Sequence, residues 1–138
     1  MARVAGACRL TPQRSLAALL KAVAAHPSLY AFGLFERSRG PVLAVPKSAR
    51  GVRSGLCVEW LAKRLTARVD PQSIAYTHDA AQAVRLARAR GGAALLVKPA
   101  SVARIRRAVD RVGLLPQKST YFHPKIASGL VFNPLDQP

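Results

Sequence analysis

The sequence predicts an α+β fold: a small mixed β-sheet with about four helices in a single domain. Three observations predict it. Stretches with apolar residues at helical spacing are interleaved with short apolar runs of strand length. Their order along the chain is helix, hairpin, helix, strand, helix, strand, helix, loop, strand, which is an α+β layout. The 138 residues are 50% hydrophobic, enough for one modest core and too apolar for a disordered tail.

Residues 1–10 show no periodicity and are expected to be a loose terminus, leaving one domain over residues 11–138. Thr11-Pro12 has the form of a helix start, a hydroxyl cap followed by proline at the first helical position. Leu16, Leu19, Leu20 and Val23 follow at helical spacing, and Pro27 ends the helix. Residues 29–35 read as an aromatic-rich strand. A turn at Ser38-Arg39-Gly40-Pro41 leads to a second strand over 42–45, so the pair forms a hairpin. Residues 47–54 form a basic loop holding Lys47, Arg50 and Arg53. Residues 56–66 place Leu56, Trp60, Leu61 and Leu65 on one side of a helix, with Trp60 as a core anchor. A short strand is expected over 74–77. Asp79 caps a helix over 80–90 that ends at Gly91-Gly92. Residues 93–97 (A-A-L-L-V) have the unbroken apolar character of a central, buried strand. Ser101 caps the last helix. Its apolar stripe is Val102, Ile105, Val109 and Val112, its basic stripe Arg104, Arg107 and Arg111, and Gly113 stands at its C-terminal cap. A final strand is expected over 130–132.

Charge is the strongest compositional signal. Twenty-two Lys and Arg face six Asp and Glu, a net charge of +16. Such a surface attracts polyanions: nucleic acid, acidic lipid headgroups or an acidic partner chain. The competing reading spreads the arginines over solvated faces, and the same two readings apply to the 47–54 loop and to the Arg104, Arg107 and Arg111 stripe. Aromatic residues are not interleaved with the arginines, which argues against a single-strand stacking platform.

Cys8 and Cys57 stand alone, with no C-x-x-C and no Cys/His cluster. This fits a reducing cytoplasm and argues against a metal site. The basic residues up to Arg14 and the apolar run 16–25 resemble a signal peptide, but Lys21 interrupts the run. No stretch is long enough to span a membrane, so a membrane partner is not expected.

The richest chemistry lies in residues 116–134, P-Q-K-S-T-Y-F-H-P-K-I-A-S-G-L-V-F-N-P. Pro116 and Pro124 push the backbone out of helix and leave N–H groups free. Lys118 and Lys125 bring charge, and Ser119 and Thr120 bring hydroxyls. Tyr121 and His123 can orient a ligand or move a proton. Together they suit a phosphate or carboxylate, such as a nucleotide or phosphometabolite. A structural role, with the same groups locking the C-terminus, is the alternative. Residues 113–119, G-L-L-P-Q-K-S, do not make a P-loop: Gln117 stands where glycine must precede the lysine, and a helix rather than a strand comes before. The carboxylates are scattered, so no acid–base set, catalytic residue or cofactor is assigned, and enzyme activity is left open.

Residues 116–131 resemble the C-terminal signature of a bacterial and archaeal family catalogued as a conserved domain of unknown function. L-C-V-E-W-L (56–61), I-A-Y-T (74–77) and A-L-L-V-K-P (94–99) are similar to blocks of the same family. Members are longer, and their earlier part carries an Asp-Gly-His-His-Arg motif that this sequence lacks. The resemblance implies that this chain corresponds to the C-terminal third, that a catalytic half is missing, and that the domain is incomplete as an enzyme alone. The earlier part of the family is similar to the chromosome-partitioning and sulfiredoxin superfamily, whose members bind nucleotides. It further implies a partner: a missing N-terminal half, or an acidic chain that balances the charge.

Overall fold

A β-hairpin forms the middle of the sheet. The computed structural model describes residues 2–115. Strands β1 (Cys8–Pro12), β2 (Phe32–Glu36), β3 (Gly40–Pro46) and β4 (Ala93–Val97) lie in the order β1-β3-β2-β4. Phe32 pairs with Ala44 and Glu36 with Gly40 across the hairpin. Gly40 closes its turn at φ 70°, a conformation open to glycine without steric cost. Every described pairing is antiparallel, where a mixed sheet was expected. The reason is placement: β4 runs in the direction of β3 but docks beside β2.

Alternation sorts the side chains onto two covered faces. Phe32, Leu34, Val42 and Ala44 pack with Val4 of α1 (Ala2–Ala7) and with Cys57, Trp60 and Leu61 of α3 (Cys57–Leu61). Phe35, Leu43, Ala94 and Leu96 pack with Leu19 and Val23 of α2 (Leu16–Ala25) and with Val84 and Ala87 of α4 (Ala80–Arg90). Helices on both sides explain why Phe32, Gly33, Leu34 and Phe35 are all buried. Gly33 faces α2 with no side chain. A methyl group there would stand 3.0 Å from Leu19 Cδ2 and 3.1 Å from Leu96 Cβ, so its absence lets α2 settle on the sheet.

Several expectations need correction. The terminus expected to be loose over 1–10 contains α1 and most of β1. Cys8 turns inward and Arg9 outward, and pairing with β3 holds the strand. Thr11 and Pro12 therefore end a strand instead of starting a helix, and a sheet edge tolerates proline. The cap of α2 is Ser15, whose Oγ accepts from the Ala18 N–H at 3.1 Å. The 56–66 helix is α-helical only to Leu61 and continues as a wider π-type turn over Ala62–Thr66. Residues 74–77 are not a strand: they pair with none of the four described strands, and Tyr76 is 62% exposed. β4 lies at an edge of the described sheet instead of its centre, with Ala94 and Leu96 buried and Ala93 and Val97 exposed.

The predicted caps at the later helices are present. Asp79 accepts from Ala81 N–H at 2.8 Å, and Gly91 ends α4 at φ 64°. Ser101 caps α5 (Val102–Val112). The strand expected over 130–132 lies outside the described residues.

Candidate functional site

The best-organised polar cluster surrounds the start of α3. Its cap position is Leu56, which has no side-chain oxygen to offer. Ser54 does that work from two residues upstream: its Oγ accepts from Leu56 N–H at 3.2 Å and donates to Glu59 Oε2 at 2.6 Å. Glu59 reaches back further, accepting from the backbone N–H groups of Ser54 (2.7 Å) and Arg53 (3.1 Å) and pairing with Lys63. This resembles a capping box stretched over a longer loop. Burial raises the Glu59 carboxyl's pKa, but the hydrogen bonds from Lys63, Ser54 and Arg53 outweigh it and hold the group down at about 2.

Other donors anchor the same loop. The Trp60 indole N–H donates to Ser48 O at 2.9 Å while its ring packs against Phe32 at 5.9 Å. Lys63 Nζ donates to Gly51 O at 2.7 Å and Arg64 Nη2 to Arg50 O at 3.3 Å. Lys47 Nζ reaches the Gly6 carbonyl near the end of α1 at 3.2 Å. The basic 47–54 loop is therefore ordered by its own backbone contacts, while Arg50 and Arg53 project from it as exposed side chains.

α5 meets this loop. A methyl group on Gly55 would lie 3.8 Å from Arg111 Nη1, so that guanidinium sits against the segment that follows Arg53. The two basic features that the sequence singled out, the loop and the α5 stripe, thus converge at Gly55. Arg107 and Arg111 are exposed and Arg104 is half-buried. The expected inward apolar stripe is corrected: Ala108 is the buried residue of α5, while Val102 is 71% and Val109 43% exposed.

Little of this charge is neutralised internally. Among the described residues there are two ion pairs, Lys63–Glu59 and an exposed, long one at 3.9 Å between Arg85 and Asp79. Asp70 and Asp79 are engaged as helix caps.

The remaining candidates are quiet. Burial pushes the Cys8 thiol up to about 11 against the pull of Lys47, and burial together with Cys8 pushes Cys57 up to about 12. Neither is a thiolate nucleophile at neutral pH. His26 Nδ1 accepts from Ser28 N–H at 3.1 Å in the turn after α2, a structural role. Among the described residues no three His, Cys, Asp or Glu gather where a metal ion would sit, and no helix is long and apolar enough to cross a membrane. Lys118, Ser119, Thr120, Tyr121, His123 and Lys125 lie outside the described residues.

Sequence reasoning missed Glu59 and Ser54. The available signal was a lone carboxylate three residues after Leu56 in an otherwise apolar helix, with a serine just upstream. It also missed that Arg14, Arg37, Arg85 and Arg88 come together on the other face of the sheet. The chain matches no protein-family model, and neither the curated proteins nor the solved structures give a match.

Proposed function

We propose that this chain is a nucleic-acid-binding module that grips the phosphate backbone with the 47–54 loop and α5. The observation that carries the reading is the Arg111 guanidinium set against Gly55, at the end of a loop that presents Arg50 and Arg53 as exposed side chains and is pinned from beneath by Glu59 and Trp60. A rigid loop loses little conformational freedom when it meets a ligand, so its exposed arginines are ready to contact phosphates. Phosphate contacts position a protein without reading bases, so weak sequence discrimination is expected. The buried, protonated thiols fit a reducing compartment, in keeping with a cytoplasmic site of action.

The test is fluorescence anisotropy with a short labelled DNA duplex between about 50 and 200 mM salt. The expected result is steep salt dependence, with a log–log slope of about −0.9 per phosphate engaged. Replacing Arg50, Arg53 and Arg111 with Ala should weaken binding at least tenfold and flatten the slope. Unchanged binding in that variant overturns the reading. Poly-glutamate displacing the duplex at equal charge concentration would instead favour an acidic partner chain. The 118–125 segment stands beside this as a separate anion-binding proposal resting on its residue types, and Lys118→Ala tests it by the loss of small-phosphate binding.

A further inference from the structure

On the sheet face opposite α3, the β2–β3 turn and α4 border an open cleft of about 640 Å3. Arg37, Arg85 and Arg88 line it around Phe35 and Pro41. It adjoins a hollow of about 360 Å3 at the start of α2, which shares Arg85 and Arg88 and adds Arg14. Among the described residues no Asp or Glu lines either space. The guanidinium carbon of Arg88 lies 5.1 Å from the centre of the Phe35 ring, so the apolar floor already orients one cation. Among the described residues Arg85 makes one ion pair, the long, solvent-exposed one with Asp79. The hydroxyl of Ser15, also at the hollow, is committed to capping α2.

Arg37, Arg85 and Arg88 around the cleft, with Arg14 at the adjoining hollow, repel one another, and a bound polyanion relieves that repulsion. Arginine forks match phosphate oxygens in pairs, and the space lies within the range of ordinary small-ligand sites. A lone carboxylate would leave most of the charge unmet. Leu16, Pro41 and Val84 add an apolar wall suited to an organic body.

We infer that this cleft is a binding site for a polyphosphate group, either free or carried on a nucleoside. It is distinct from the Arg50, Arg53 and Arg111 surface and lies on the other face of the sheet.

The test is isothermal titration of the full chain with sodium tripolyphosphate and, separately, with ATP, both without metal and at physiological ionic strength. The expected result is saturable one-to-one binding by at least one of them. Arg37→Ala combined with Arg85→Ala should raise Kd at least tenfold. The control, Arg50→Ala with Arg53→Ala, removes equal charge from the opposite face and should change Kd less than about threefold, because salt screens distant charges. Both pairs contain exposed arginines, and circular dichroism checks that each variant folds. Equal weakening in the two pairs, or no saturable binding by the unaltered chain, overturns the site. Tighter binding of ATP than of tripolyphosphate places an organic body on the Pro41 wall; equal binding assigns the affinity to the phosphates alone.

Discussion

α3 and α5 both border the basic loop, and they are built in opposite ways. α3 has five residues and no side chain on its cap position, yet Cys57, Glu59, Trp60 and Leu61 are all buried. α5 has eleven residues, a serine cap and cleanly separated apolar and basic stripes, yet it buries Ala108. Local pattern favours α5, whereas burial favours α3. Amphipathicity states which face a helix would offer a neighbour, not whether a neighbour arrives. Trp60 and Glu59 join the helix, the loop and the sheet, so α3 is held by contacts distant in sequence. α5 is held at Ala108 and carries its arginines outward.

The largest effect that would sharpen this contrast is Trp60→Ala. It removes a fully buried ring and the indole bond to Ser48, and should cost about 3–5 kcal/mol in urea unfolding. A loss below about 1 kcal/mol would mean that α3 is not the anchor.

Next is Glu59. Its carboxyl sits at about 2 against an ordinary 4.5, and with solvent screening of the half-exposed Lys63 partner the stabilisation is on the order of 1–2 kcal/mol. Because the native pKa is depressed, that stability is present above about pH 4.5 and is lost as pH falls toward 2. Glu59→Gln should be less stable at neutral pH and should show a smaller acid-induced drop over that window. Chemical denaturation at both ends of the window measures it, and parallel pH curves for the two proteins would refute the role.

Ser101→Ala should cost about 1 kcal/mol through loss of the α5 cap, visible as reduced helical ellipticity or a lower Tm.

The smallest effect should come from Val102→Ser, within about 0.5 kcal/mol, because the side chain is 71% exposed. A cost above about 1 kcal/mol in thermal unfolding would show that something covers this face of α5 in solution and would erase the contrast with α3.

Legibility in the sequence followed the range of the interactions. Asp79, Ser101 and Gly91 act within a turn or two of themselves, so their cap chemistry was readable. Thr11 read as the cap of the first long helix, and only the pairing of Cys8–Pro12 with β3 showed that it ends a strand and leaves the cap to Ser15. For the same reason 74–77 read as a strand: its composition suits one, but the segment pairs with none of the four described strands. The basic loop and the α5 arginines were visible as charge, but their meeting at Gly55 joins residues far apart in the chain.

By itself the sequence determined the α+β class, the hairpin, Trp60 as a core anchor and an excess of positive charge, since these follow from local periodicity, turn residues and composition. The tertiary structure alone decided that the described strands pair antiparallel with β4 at an edge, that Glu59 is drawn inside to clasp the basic loop, and that four dispersed arginines line two adjoining depressions. Each of those outcomes depends on which distant segments reach the same sheet edge or face, and the free energy of that choice comes from packing between elements that do not encode one another's position.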